Sequence, residues 1–477
     1  MTKFPPRKTK IIVTMGPAIE SGARLEEAML AGAGIFRLNM AHTSPDVARA
    51  VIRKIRSAAQ RAGTEVAIMM DIKGPEIRTG ELASPITLQL GESFDFTCES
   101  ETIDSWRGDG TGSVGVNYRD LVNDVQVGDE LLVDSGLLRF GVIEKHTARL
   151  RCRVLVPGVL SSRRHVNLPG VEVNLPAFTA KDRADAAVGL EEGVDYIAQS
   201  FVRRAADVHE LRAFILEHNS RAQIIAKIED QSGIRNLEEI VEAADALMVA
   251  RGDLGIECPY QDLPIIQRRI VNTCLEQGKP VIIATHMLES MIDRAMPTRA
   301  EISDVANAVY EQADAVMLSG ETAVGQFPIE CIQVLDKIAR RIESEPDAGT
   351  RCSVAVNSER MKMLHSAATL ANRLPGSQIL AFTRLGLNGS RLAALRPIQA
   401  PILAVTPVPE IFRQLHLHRA VTPFLMPFDT DPDVTIERAI SMLRRASAVS
   451  AGDKLVIVSD IIAQDQTWES IQLRIVR

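Results

Sequence analysis

Eight short apolar runs, each closing on a polar residue and followed by a helix-like stretch, recur along the first 320 residues: KIIVT (10–14), GIFRLN (34–39), VAIMMD (66–71), YIAQS (196–200), IIAKIE (224–229), ALMVARGD (246–253), VIIAT (281–285) and AVMLSGE (315–321). A strand that is apolar on both faces needs cover on both, as in a parallel sheet between helix layers. Eight such units match a closed (β/α)8 TIM barrel, and a flatter doubly wound sheet is the alternative. The runs follow one another at about 25 to 35 residues, except for a gap of about 125 between Asp71 and Tyr196.

That gap holds short alternating segments, ITLQL, FDFTC, ELLVD, LLRFGVIE and LRCRVLV, broken by Gly, Asp and Ser. Such a pattern predicts a small β-barrel lid domain inserted after the third strand. After about residue 346 the αβ alternation restarts, from helix-like MKMLHSAATLANRL through strands QILAFT, PILAVT and VTPFLMP and helix TIERAISMLRRASA to strand KLVIVS, which predicts a C-terminal α/β open-sheet domain. The expected division is 1–74 barrel, 75–170 lid, 171–345 barrel and 346–477 C-terminal domain. A chain of 477 residues that is 46% hydrophobic has material for these separate cores.

Charge narrows the partners. The formal net charge is −7 and no long basic run occurs, so no footprint for nucleic acid or an anionic membrane stands out. The six cysteines, Cys98, Cys152, Cys258, Cys274, Cys331 and Cys352, show neither CxxC nor disulfide spacing and are expected to be reduced packing residues. The start, MTKFPPRKTK, lacks an apolar signal segment and no run of 18 apolar residues occurs, which predicts a cytoplasmic protein.

In β/α barrels the chemistry sits at the carboxyl ends of the strands. Here those ends carry Arg37 and Asn39, Asp71, Ser200, Lys227 and Glu229, Asp253, Thr285, and Ser319 with Glu321. One or two such groups could be solvated loop starts, and Lys227 with Glu229 could be a buried structural pair. Convergence from seven strands on one rim points instead to a site. Lys227 and Glu229 are two apart and project to one face. Asp253 adds a second carboxylate from the next strand, and two hard oxygen ligands are the usual protein share for a magnesium ion that also binds substrate. The glycines of ARGDLG let backbone N–H groups approach an anion, and Arg37 offers a planar fork suited to phosphate. No GxxxxGK[ST] loop, no GxGxxG and no evident Ser or Cys nucleophile with a base is present. Phosphoryl transfer by positioning and charge neutralisation fits this set.

KTKIIVTMGPA, RLNMAH, DIKGPEIRTG, VNLPG, AKIED, VARGDLGIE, ATHMLESM, PTRAEISDVANAV and MLSGETAVGQFP, in this order, resemble the signature segments of pyruvate kinases over nearly the full chain. The resemblance implies a glycolytic phosphotransferase that moves the phosphoryl group of phosphoenolpyruvate to ADP, giving pyruvate and ATP, as a homotetramer using Mg2+ and K+. Carried over residue by residue, it implies Lys227, Arg37 and Thr285 as catalytic. Gly252 and Asp253 would join them in substrate binding, and Glu229 and Asp253 would hold magnesium. Asn39, His42, Arg78 and Arg164 would contact nucleotide, and Asn39, Asp71 and the carbonyl of Ile72 would bind potassium.

Several positions depart from that pattern. Ala41 replaces a serine of the potassium site, while Glu76 keeps the charge that accompanies potassium dependence, so a weak or altered requirement is expected. Ser135 stands where a second aspartate is common, Arg164 where a lysine is common, and His286, in place of glutamine, is expected to be a packing neighbour. Leu385 and Leu387 replace the serine and arginine of a sugar-phosphate loop, which predicts weak or absent activation by fructose 1,6-bisphosphate. The ending SDIIAQDQTWESIQLRIVR is unlike the family's glycine-rich one. A non-catalytic paralogue that binds phosphorylated ligands, and a magnesium-dependent aldol lyase, are the competing readings.

Overall fold

The computed structural model describes residues 7–98, 111–345, 354–463 and 466–477. Its eight parallel barrel strands are β1 (Lys10–Thr14), β2 (Ile35–Asn39), β3 (Ala67–Ile72), β4 (Tyr196–Gln199), β5 (Gln223–Ile228), β6 (Ala246–Ala250), β7 (Val281–Ala284) and β8 (Ala315–Leu318). Each pairs with its neighbours in sequence, and β1 pairs with β8 from Lys10↔Ala315 to Val13↔Leu318, so the sheet closes and the doubly wound alternative falls. The doubly apolar runs have the expected cause. Ile11 and Val13 pack outward under the helices, while Ile12 faces the interior with Met69, Tyr196, Ile225, Met248 and Met317.

Two runs are shorter as strands than their apolar character predicts. ALMVARGD leaves the sheet after Ala250 and AVMLSGE after Leu318, and short helices follow at Arg251–Glu257 and Gly320–Ala323. Gly252 and Gly320 have no side chain to hold a pleat, so the chain turns where pairing runs out. Asp253 therefore sits in the first turn of a helix and not on a strand end.

The insertion after β3 is a six-stranded sheet in the order Val166–Asn167, Glu130–Val133, Leu138–Lys145, Arg149–Val156, Ser93–Thr97, Gly112–Gly115, with a separate pair, Ile86–Leu88 and Gly158–Leu160. Arg78 and Thr79 draw its two edges together through single antiparallel bridges to His165 and Val116. Phe94, Phe96 and Phe140 fill its centre, with ring centroids 4.9 to 5.7 Å apart.

The C-terminal sheet runs Val421–Leu425, Ile402–Thr406, Ser377–Phe382, Lys454–Ala463, Gln466–Ile475; all pairs are parallel except the last. The unusual ending thus forms an antiparallel edge strand. This domain closes the amino-terminal end of the barrel, away from the strand ends that carry the chemistry. Leu417, in the turn Leu415–Leu417, joins the interior barrel cluster from below. Asp314, just before β8, accepts from Arg396 at 2.5 Å and from the Arg419 backbone at 3.0 Å, and Asp195, before β4, pairs with Arg413 at 2.7 Å.

Five cysteines are unpaired and four of them buried, as packing residues should be; Cys352 lies outside the described residues. No helix among the described residues is long and apolar enough to cross a membrane.

One buried histidine should make the domain contact sensitive to acid. His418 is buried there and its imidazolium is disfavoured down to about 4, first by burial, then because Arg396 and Lys10 oppose the pull of Asp314. An unfolded histidine takes its proton near 6.5. Between about pH 6.5 and 4 the unfolded chain therefore holds one more proton than the folded one. Stability from this site is complete above pH 6.5 and falls with pH through that window by about 1.4 kcal/mol per unit. Urea midpoints measured between pH 7 and 5 should fall less steeply in His418→Gln than in the wild type, and parallel curves would remove the assignment.

Candidate active site

At the carboxyl rim, one buried carboxylate organises two cations. Asp71, 2% exposed and near the end of β3, accepts from Arg37 Nε on β2 at 2.7 Å and from Lys227 Nζ on β5 at 3.1 Å. Lys227 also donates to Ser200 Oγ at 2.7 Å and lies 2.9 Å from Glu229 Oε1, so its three N–H donors are all placed. Burial alone would raise the Asp71 carboxyl, but Lys227 and Arg37 outweigh it and hold it below the usual carboxylate range. Burial likewise works against the Lys227 charge, and Asp71 and Glu229 outweigh that, raising its ammonium above the ordinary lysine value. Arg37 Nη1 donates to Thr14 Oγ1 at 3.1 Å. Its Nη2 makes no hydrogen bond among the described residues and stays available to an anion.

Glu229 follows β5, 1% exposed, and its second oxygen accepts from the Phe201 backbone at 2.7 Å. Its carboxyl is pushed up to about 7, chiefly by burial, with the Asp253 charge adding to it and Lys227 opposing. A second carboxylate close enough to disfavour the Glu229 charge makes with it an oxygen donor set suited to a cation. No third His, Cys, Asp or Glu joins them among the described residues. The remaining positions would fall to substrate and water, which is the pattern magnesium takes.

Thr285 lies one residue beyond β7 with φ 65°, followed by His286 with φ 55°. Two successive non-glycine residues in the left-handed region, the first β-branched, are costly at about 1–3 kcal/mol each. The Thr285 hydroxyl donates to the Ala284 carbonyl at 2.6 Å and accepts from the Gly252 backbone at 2.9 Å. The turns after β6 and β7 are thus joined at the rim.

Not every polar strand end faces this site. Glu321 is 2% exposed and spends its carboxylate on the backbone N–H groups of Leu288 at 3.0 Å and Ser319 at 2.7 Å, so it ties two loops together. His286 is not a packing residue: its side chain is 58% exposed and 3.5 Å from Glu289. Ser200 is the reverse case. A serine at a strand end reads as a generic loop start, yet it accepts from Lys227 and donates its one proton to the Ile72 carbonyl at 2.8 Å, with Asp71 Oδ1 3.4 Å away.

Residues 6–332 match the family described as pyruvate kinase, barrel domain, and residues 361–471 the family described as pyruvate kinase, alpha/beta domain. The chain is 41% identical over 463 residues to a pyruvate kinase of Geobacillus stearothermophilus, covering 95% of this chain and 78% of that one. It is 40% identical over 476 residues to plastidial pyruvate kinase 2 of Arabidopsis thaliana, covering 98% and 81%. A crystal structure of a pyruvate kinase from Cryptosporidium parvum superposes with a TM-score of 0.91 at 33% identity, covering 99% of this chain and 96% of that one. This chain belongs to the pyruvate kinase family.

The residues that the resemblance to pyruvate kinases implies for nucleotide and potassium fall into two places, the root of the lid and the ends of β2 and β3 with the turn after β2. Arg78 and Arg164 meet at the root of the lid, where Thr79 N donates to the Arg164 carbonyl at 2.8 Å and Arg164 N to Thr79 Oγ1 at 2.8 Å. Arg78 is held by Glu76 at 2.7 Å, and Arg164 lies 3.3 Å from Asp134. Asn39 ends β2 and exposed His42 lies on the turn that follows, and no hydrogen bond or ion pair among the described residues links them to the two arginines. The oxygens that the resemblance implies for potassium each accept a hydrogen bond within the protein. Asn39 Oδ1 accepts from Ala41 N at 3.1 Å, the Ile72 carbonyl accepts from Ser200, and Asp71 is shared by two cations.

Removing Asp71 leaves Arg37 and Lys227 facing each other without their common counter-charge. Asp71→Ala should destabilise the barrel by about 3–5 kcal/mol, as for a broken buried pair. A shift of the denaturation midpoint corresponding to less than about 1 kcal/mol would contradict that placement.

Proposed function

We propose that this chain carries out the reaction of its family, transfer of the phosphoryl group of phosphoenolpyruvate to ADP with formation of pyruvate and ATP, at the Arg37–Asp71–Lys227 cluster. The observation that carries the site assignment is the convergence of Lys227, Glu229 and Asp253 with Arg37 on one rim, with Thr285 bonded to the Gly252 backbone next to Asp253. Arg37 offers its free Nη2 edge to the phosphate. Lys227 stabilises charge on the transferring phosphoryl and then on the enolate; because its three donors are all used within the protein, contact with substrate exchanges one of them. Thr285 lies beside the methylene carbon that gains a proton, and the backbone around Gly252 and Asp253 receives the carboxylate. Glu229 and Asp253 would hold magnesium, which when bound neutralises oxygen charge that builds up in the transfer.

The nucleotide falls to Arg78 and Arg164 at the lid root, with Asn39 and His42 on the barrel. An arginine where relatives carry lysine keeps the charge and changes the grip, so nucleotide preference is the property that shifts. We divide the chain at 74/75, 170/171 and 345/346, place it in the cytoplasm, and take its assembly to be the homotetramer that resemblance implies. In the C-terminal domain a cleft of about 990 Å³ is lined by Arg360, Arg384, Arg391 and Phe428 together with exposed Leu385 and Leu387. The two leucines stand in place of donors, which argues against fructose 1,6-bisphosphate there.

Pyruvate formation from phosphoenolpyruvate, followed in a coupled assay with several nucleoside diphosphates, tests the reading. Wild type should turn over with magnesium, and Lys227→Met should lose at least ~10²–10³-fold in kcat, the scale for deleting one donor to developing charge. Retained turnover in that variant would remove the assignment, and an inactive wild type that still binds phosphoenolpyruvate would favour a non-catalytic role. A second outcome concerns potassium. With its donors engaged and Ala41 lacking a hydroxyl, rates with and without potassium should differ little, and strict dependence would overturn this.

A further inference from the structure

We propose that Arg251 is a positioning residue for the protonation half of the reaction, holding the strained Thr285 turn in place, on the reading above that Thr285 lies beside the methylene carbon. Arg251 opens the helix that carries Gly252 and Asp253, and it is 7% exposed. Its side chain reaches back across the rim. Nε donates to the carbonyls of Ala284 at 3.3 Å and Thr285 at 3.2 Å, Nη2 to the Thr285 carbonyl at 2.5 Å and to Met287 Sδ at 2.8 Å, and Nη1 to Asp304 Oδ1 at 2.8 Å and Gln267 Oε1 at 3.4 Å. Gln267 in turn donates to Glu311 at 2.8 Å, so the turn after β7 is tied to two outer helices, Leu263–Gln277 and the one ending at Tyr310.

A buried guanidinium that does only structural work needs a counter-charge, and Asp304 supplies it. What Asp304 does not explain is why the other two edges of the fork converge on the carbonyls of Ala284 and Thr285, at the turn where φ turns positive in two successive non-glycine residues. A left-handed β-branched residue persists only where its surroundings hold it. Both partners of the Thr285 hydroxyl, the Ala284 carbonyl and the Gly252 N–H, belong to the frame that Arg251 joins: it contacts the first and is bonded to the second. In the half-reaction concerned, the C2–C3 π electrons of the enolate form the new C3–H bond, the enolate oxygen becomes the carbonyl, and the proton arrives from solvent by way of that hydroxyl. A hydroxyl displaced by a fraction of an ångström delivers it late or to the wrong face. An ammonium at this position would keep the charge, but as a compact point donor it does not reach across the width of a planar guanidinium, from Asp304 on one edge to the Ala284 and Thr285 carbonyls on the others.

The test uses the full-length enzyme with magnesium, phosphoenolpyruvate for rates, and its C3-methyl homologue in D2O, whose product records which face of C3 received deuterium. Wild type should label one face. Arg251→Lys should lose at least ~10-fold in kcat with KM for phosphoenolpyruvate within about 3-fold, and should scramble the label. Asp304→Asn, which keeps the guanidinium and loosens its anchor, should show the same split in smaller degree, and it decides the matter if Arg251→Lys does not fold. Wild-type kcat and facial selectivity in either well-folded arginine-anchor variant would overturn the inference. Thr285→Ala separates the two levels. If it scrambles the label while Arg251→Lys does not, only the inference fails; if it labels as wild type does, the role given to Thr285 fails and the inference with it.

Discussion

The shared carboxylate of Asp71 is the constraint on which the rim depends. Two cations from β2 and β5 would repel each other in a barrel mouth of low dielectric, and neither could stay charged and ordered there alone. One aspartate between them cancels enough of the repulsion to keep both in place, and Ser200 fixes the geometry from β4. The interior below is filled by Ile12, Met69, Ile225, Met248 and Met317, so little water is available to screen the field. In a chain of net charge −7, local arrangement and not overall charge makes an anion-binding mouth.

The two ends of the barrel do different work. Chemistry gathers at the carboxyl ends of the strands, where the lid is inserted and where the chain leaves β6 and β7 in tight turns. The amino-terminal end is sealed by the C-terminal domain, with Asp314 and Asp195 as the two acidic sockets that receive its arginines.

Much of this was legible in the sequence, for a physical reason: strands covered on both faces write unbroken apolar runs, and eight of them announce the barrel. The polar residues that end those runs announced the mouth, since nothing else in a buried strand calls for Lys227 or Asp71. Less visible were features without periodicity. The two- and three-residue lid strands at Val166–Asn167 and Gly158–Leu160 are too short to alternate, and the tail strand reads as irregular because it is an edge. Glu321 looked like part of the mouth because position alone cannot tell a carboxylate aimed at substrate from one aimed at backbone. The reach of Arg251 to Thr285 depends on a left-handed turn that no spacing in the chain encodes.

Leu417 carries a consequence for how such a protein can be built. Its side chain belongs to the C-terminal domain by sequence and to the barrel by packing, filling the floor of a cylinder that eight strands alone leave open. A barrel excised at the domain boundary would therefore leave that floor open to water. Its interior is completed by a residue some hundred positions downstream, so one apolar cluster spans both domains.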